Sequence, residues 1–145
     1  SFDIRSRGRR LLPELCGAVG IGASAAAIII ADGGAATLAI GCWLVLAARS
    51  LGAIPFVRSQ IVQARRGVLD TRSSDLAQVA AVGLATTAAV LDRAVLLGAL
   101  GVAALAGLQL WWVRRAPPAV KVLGMRQRAL GLSLVVVTAL GVRVA

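Results

Sequence analysis

The sequence contains no histidine, and aromatic and sulfur-containing residues are scarce. Aromatic residues make up 3% of the 145 residues, and there are two cysteines and one methionine. Without histidine, the chain cannot form a Ser–His–Asp set or supply imidazole ligands to haem, copper or zinc. Cys16 and Cys42 lack CxxC spacing and fall in apolar segments, which is typical of small buried residues. We therefore expect no metal site and no cofactor, and we assign no catalytic residue.

Long apolar runs dominate what the chain does contain. It is 59% hydrophobic and 15% charged, with a mean hydropathy of +0.86. A soluble domain has about 45–50% apolar and about 25% charged residues. Ala, Gly, Leu and Val prevail here, as they do in transmembrane helices that pack closely. The composition predicts one transmembrane domain that covers residues 1–145.

Five apolar runs are long enough to form membrane-spanning helices. About 20 helical residues, at about 1.5 Å each, cross the hydrocarbon layer of about 30 Å. The sequence therefore predicts an all-α, polytopic bundle of five spans. We place them at residues 11–31, 35–57, 76–91, 94–113 and 123–142.

The basic residues predict which way the bundle faces. The N-terminal tail, the second loop and the fourth loop with its flank carry four, four and five basic residues. The first loop, the third loop and the C-terminus carry none, one and one. Basic loops stay in the cytoplasm, so we expect a cytoplasmic N-terminus in a bacterial inner membrane. The expected partner of these charges is anionic lipid headgroups rather than nucleic acid.

Arg49 is the charge that lies well inside an apolar run. If the second span begins at Ala35, Arg49 lies about 21 Å along it. A charge at that depth costs several kcal/mol unless it snorkels to the headgroups, pairs with another charge or faces a cavity. Three interpretations follow: snorkelling, a structural pair with Glu14, or an anion or substrate site shared with Arg58 and Gln60.

Gly52 and Pro55 follow Arg49 in the same span. Proline removes a backbone donor and bends a helix. We expect either a plain bend or a kink that opens a cavity lined by Arg49, Arg58 and Gln60.

Two tryptophans followed by two arginines end the fourth span. Tryptophan is enriched where a helix meets the headgroups, and arginine flanks cytoplasmic ends. We therefore assign a lipid interface to Trp111, Trp112, Arg114 and Arg115. Small residues within the spans, such as Gly98 and Gly101 at helical spacing, predict close helix packing.

Three stretches resemble the YwiC-like family of bacterial integral membrane proteins: GRRLLPELCGAVG, ARSLGAIPFVRSQIVQARRG and PPAVKVLGMRQRALGLSLVVVTALGV. The positions that match its motifs are Arg49, Pro55, Val57, Arg58, Lys121, Leu123 and Gly124. The resemblance covers nearly all of the chain and implies a helical membrane fold. The family's proteins are longer and carry an N-terminal part with a His-Gly-Ala-Trp type motif. We therefore expect this chain, which begins at Ser1, to lack the N-terminal spans of a longer protein. The family has no established activity.

Three classes of function remain open. The first, which we favour at this point, is an accessory or scaffolding subunit that packs against a larger bacterial membrane complex. The second is a transporter of a small solute or lipid that uses Arg49 and Arg58. The third is a membrane enzyme on an isoprenoid or lipid substrate, distantly similar to UbiA-type bundles. The chain lacks the aspartate-rich motifs of such enzymes, which counts against this third class.

Overall fold

Five long helices make up the molecule. The structure is a computed structural model that describes residues 2–145, with side chains described from residue 11 onward. It is 87% helical and contains no strand among those residues. The helices are α1 (Phe2–Ala31), α2 (Ala36–Arg66), α3 (Arg72–Leu91), α4 (Leu96–Trp112) and α5 (Val120–Val144), and a 3₁₀ turn (Arg93–Val95) precedes α4. All five segments are long and apolar enough to cross a membrane, so this is a multi-pass membrane protein with the predicted all-α fold.

Four helices, α1, α2, α3 and α5, extend further than the predicted spans. Helix α2 continues to Arg66 rather than ending at residue 57, and α3 begins at Arg72 rather than at residue 76. Hydropathy marks the apolar part of a helix, whereas its backbone hydrogen bonds continue until a terminating residue. For α2 that residue is Gly67, which adopts the left-handed conformation at φ 66° and donates its N–H to the Gln63 carbonyl.

The two ends of the bundle differ in charge. The chain turns at residues 67–71 and 113–119 at one end, called here the basic end, and at residues 32–35 and 92–95 at the opposite end. The tail arginines that contributed to the predicted orientation lie outside the residues whose side chains are described: Arg5, Arg7, Arg9 and Arg10.

Helix α2 lies at the centre of the bundle. In its membrane-spanning window 39% of residues are buried, against 6% for α1 and 11% for α5. It contacts each of the other four helices, whereas α1, in the described part of the chain, contacts α2 alone. The large exposed aliphatic side chains of α1 and α5 therefore lie on the outer surface of the bundle.

Small residues bring the helices close together. One face of α3 presents a buried stripe to the core, at Ala77, Ala81, Ala85 and Ala88. A side chain at Gly98 or Gly101 of α4 would collide with Thr138 or Leu134 of α5, so the predicted close packing at these two glycines is confirmed.

Candidate functional site

A chain of buried amides connects four of the helices. Gln78 of α3 donates through Nε2 to the Gly52 carbonyl of α2 at 2.9 Å and to Oε1 of Gln109 at 2.8 Å. Gln109 of α4 donates through its own Nε2 to Oε1 of Gln127 on α5, at 3.3 Å. The same Gln127 oxygen accepts a 2.5 Å hydrogen bond from Nη2 of Arg49, on α2. We call Gln78, Gln109 and Gln127 the glutamine chain.

The glutamine chain depends on a glycine in α2. A Cβ at Gly52 would lie 2.8 Å from Oε1 of Gln78, so the Gln78 amide would have to move away from α2. Glycine therefore lets the Gln78 amide reach the α2 backbone. Gly52 and Pro55, the candidate kink, both lie within α2, which stays helical through them. The kink, and the cavity that it would open between Arg49, Arg58 and Gln60, stay predictions.

Arg49 faces the interior of the bundle. Its Nη2 bonds to Oε1 of Gln127 and, at 3.4 Å, to the Gln127 carbonyl. Its Nε and Nη1 atoms are buried and have no protein acceptor among the described residues, and the same holds for Nε2 of Gln127. A buried donor without an acceptor costs about 1–3 kcal/mol, and more when it is charged. Arg49 and Gln127 therefore carry buried N–H groups to which an oxygen-rich ligand could supply the missing hydrogen-bond acceptors.

One of the three interpretations of Arg49, a structural pair with Glu14, does not match the contacts in the structure. Within residues 11–145 Arg49 and Glu14 form no ion pair, and Gln127 accepts the guanidinium hydrogen bonds instead. Glu14 lies exposed in α1, on the wall of the cavity described next. The buried guanidinium nitrogens also do not fit the snorkelling interpretation.

A cavity of about 520 Å³ opens at the basic end, between α1, α2 and α5. We call it the basic cavity. Its polar walls are formed by Glu14, Arg58, Arg65, Arg66 and Gln127, and its apolar walls include Ala53 and Val57. Gln127 thus belongs to both the cavity wall and the glutamine chain. Its volume lies within the usual range of about 300–1,000 Å³ for small-molecule sites.

Arg49 adjoins the basic cavity without lining it. Ala53 lies one helical turn after Arg49 on the same face of α2, and it forms part of the cavity wall. Gln127 accepts from Arg49 and lines the cavity. Gln127 therefore lies between the positive charge of Arg49 and the cavity.

Gln60 lies away from the basic cavity. It is 1% exposed, and its Nε2 donates to the Trp112 and Val113 carbonyls, each at 3.4 Å. These carbonyls belong to the last turn of α4, which leaves such groups without a helical partner. Gln60 therefore supplies hydrogen-bond donors to the C-terminal end of α4. The structure brings Glu14 and Arg58 together, links Arg49 to them through Gln127, and separates Gln60 from them.

The predicted interface residues cluster at the end of α4. Trp111 is 53% exposed, and the Arg115 guanidinium lies 3.7 Å above the centre of its ring. Arg126 lies 5.0 Å from the centre of the Trp112 ring. Arg114 instead turns towards α3 and forms an ion pair with Asp75, at 2.8 Å. This arrangement is compatible with the predicted headgroup contact of the tryptophans and of Arg115.

Sequence reasoning missed the glutamine chain. Gln109 is the one amide in the apolar α4, and Gln78 is buried at 2% exposure within α3. A lone amide in a membrane-spanning helix is a signal, because such side chains hydrogen-bond across helices. The sequence cannot show that three of them meet.

The described residues bring together no group of three His, Cys, Asp or Glu side chains suited to a metal ion. Comparisons of the chain with models of protein families, with curated proteins and with solved structures gave no match.

Proposed function

We propose that this protein is a carrier that binds a small anionic or lipidic solute in the basic cavity and moves it across a bacterial inner membrane. One observation supports the proposal above all. Arg49 faces inward at membrane depth and is joined, through Gln127, to the wall of a cavity of about 520 Å³. An intramembrane charge that faces a cavity is typical of a substrate pathway.

The charge of the basic cavity favours an anion. Three arginines and one glutamate line it, and Arg49 adds a further positive charge behind Gln127. Guanidinium groups match carboxylate and phosphate oxygens with paired hydrogen bonds. A site with low-dielectric walls strengthens this attraction.

The cavity also separates this proposal from the two other classes of function. An accessory subunit needs a helix face for its partner and no polar cavity at membrane depth, so the basic cavity favours the carrier over that earlier preference. An enzyme needs acids beside the substrate, and Glu14 is the one acid that the described residues place on the cavity wall. Asp75, at the same end of the bundle, is paired with Arg114.

The orientation of the carrier is part of the proposal. Basic loops face the cytoplasm, which would place the mouth of the basic cavity at the inner leaflet. Anionic headgroups would then lie beside Arg65 and Arg66, where α2 ends.

A flux measurement tests the proposal. The purified chain is reconstituted into liposomes, and the movement of labelled inorganic phosphate and of fluorescent phosphatidic acid is measured against protein-free vesicles. We expect one of the two anions to move faster with protein, and Arg58→Gln to reduce that rate. Arg143→Gln is the matched control, because it removes a charge from the opposite end of the bundle.

Folded protein that moves neither anion would contradict the proposal. Equal loss of flux in the Arg58 and Arg143 variants would also contradict it, because the effect would then come from net charge and not from the cavity. Native mass spectrometry of the same preparation provides a separate outcome. Stoichiometric co-purification with a larger membrane protein, without flux, would favour the accessory subunit.

A further inference from the structure

A second cavity follows the basic cavity along the same helices. It encloses about 360 Å³ nearer the opposite end of the bundle, and we call it the apolar cavity. Like the basic cavity, it lies between α1, α2 and α5. Its walls include Ile28, Cys42, Leu46, Val135 and Val142.

One face of α2 forms the floor of both cavities. Cys42 and Leu46 line the apolar cavity, whereas Ala53 and Val57 line the basic cavity. With Arg49 between them, these positions recur at intervals of three or four residues and therefore share one face of the helix. Helices α1 and α5 flank this face and, among the described residues, do not contact each other. The two cavities thus follow one another between α1 and α5, and we call them together the groove.

The two parts of the groove differ in chemistry. The basic cavity presents three arginines and one glutamate. The apolar cavity presents mainly aliphatic side chains, and its hydroxyl group, on Thr138, donates to the Leu134 carbonyl of its own helix at 2.8 Å. An anion fits the first part and a hydrocarbon chain fits the second.

We infer that the groove binds a long-chain lipid with a phosphate headgroup, its head in the basic cavity and one chain in the apolar cavity. This inference rests on the proposed function and specifies its substrate. The lipid enters sideways from the bilayer, because α1 and α5 leave the face of α2 between them uncovered.

The length of the groove determines how long an acyl chain the lipid needs in order to fill it. The rise from Arg58 to Cys42 along α2 corresponds to about 24 Å. One leaflet contributes only half of the hydrocarbon layer of about 30 Å. A chain that reaches from the basic cavity to Cys42 therefore passes the midplane of the bilayer, and a short acyl chain would leave the apolar cavity unfilled.

Binding to the full chain in detergent tests the inference. Native mass spectrometry measures the affinities of oleoyl and octanoyl lysophosphatidic acid, glycerol 3-phosphate and uncharged monooleoylglycerol. We expect the oleoyl phosphate to bind at least about tenfold more tightly than either the octanoyl phosphate or the uncharged lipid. Ala139→Trp, which fills the apolar cavity, should remove the chain-length preference and leave the binding of glycerol 3-phosphate unchanged. Ala103→Trp, on the exposed side of α4, is the matched control and should preserve the preference.

Each outcome decides between the two proposals. Glycerol 3-phosphate binding without a chain-length preference would overturn the lipid groove and leave the anion carrier standing. Equal binding of charged and uncharged lipids would indicate ordinary boundary lipid and overturn the groove. Failure of every phosphate to bind would count against both.

A labelling experiment covers the case in which the Ala139 variant does not fold. Lysophosphatidic acid with a photoreactive chain end is bound to the wild-type chain and activated. We expect adducts near Ile28 of α1 and Val135 of α5, which line the apolar cavity. Equal labelling of the exposed faces of α3 and α4 would overturn the inference.

Discussion

Replacement of Gln127 by leucine should destabilise the protein more than any other single change in the glutamine chain. Oε1 of Gln127 accepts from both Arg49 and Gln109, at 2.5 Å and 3.3 Å. Leucine has a similar volume but no acceptor. The Arg49 guanidinium would then keep only its 3.4 Å contact to the carbonyl of residue 127.

The expected loss of unfolding free energy depends on which polar groups Gln127→Leu and Gln109→Leu leave without a partner. Removing one partner of a buried charge costs about 3–5 kcal/mol, because the charge stays buried. In Gln109→Leu, by contrast, Gln78 keeps the Gly52 carbonyl and Arg49 keeps Gln127. That variant loses two interhelical hydrogen bonds, each worth about 0.6 kcal/mol on average in membranes, so about 1 kcal/mol in all.

A double-mutant cycle isolates the interaction. Arg49→Met removes the charge, so Gln127→Leu should cost far less in an Arg49→Met background than in the wild type. We expect a coupling free energy of about 1–3 kcal/mol. The measurement is reversible unfolding in mixed micelles of increasing SDS content, monitored by helical circular dichroism. Gln127→Glu is the control, because it keeps an acceptor for Arg49.

Two results would refute this reasoning. Additive costs of the Arg49 and Gln127 variants would show that the two side chains are not coupled. A Gln109→Leu variant as unstable as Gln127→Leu would show that the chain of amides, and not the buried charge, determines the cost.

Two further changes probe how the helices around α2 are held. Gly52→Ala should destabilise the fold by about 1–3 kcal/mol in the same unfolding assay, because the new Cβ would lie 2.8 Å from Oε1 of Gln78. Gly83→Ala is the control: its Cβ would meet nothing within 4 Å, so this variant should be neutral or slightly stabilising. Trp43→Phe removes the 2.9 Å hydrogen bond from Nε1 to the Val19 carbonyl of α1 and should loosen α1. Cys42, in the wall of the apolar cavity beside α1, should then react faster with a membrane-permeant maleimide. An unchanged rate would show that this bond does not hold α1 in place.

Hydropathy predicted the number of helices because apolar length is a property of each segment alone. It also singled out Arg49, whose charge is costly at its depth whatever surrounds it. Helices α2 and α3 continue past the predicted apolar spans at their polar ends, because helical hydrogen bonding continues outside the apolar run.

The partners of Arg49 could not be predicted in the same way. Apolar residues cover nearly the whole circumference of α4, and Gln127 of α5 stands between two arginines, so the sequence does not show which face of each helix turns inward. The positions of Gln109 and Gln127 relative to α2 depend on that rotation. The pairing of Arg49 with Glu14 was therefore one of three interpretations left open, whereas in the structure a neutral amide, that of Gln127, supplies the contact.

The neutrality of the glutamine chain has a consequence for binding. Glutamine orients Arg49 without cancelling its charge, so the basic cavity keeps the full attraction of the guanidinium for an anion. Gln127→Glu should stabilise the fold, or leave it unchanged, because a carboxylate is the stronger acceptor for Arg49. The same change should weaken the binding of glycerol 3-phosphate about tenfold or more, because it adds a negative charge to the cavity wall. Gln127→Met, which adds no charge, should instead reduce stability. A Gln127→Glu variant that binds the phosphate as tightly as the wild type would show that the anion does not approach this wall.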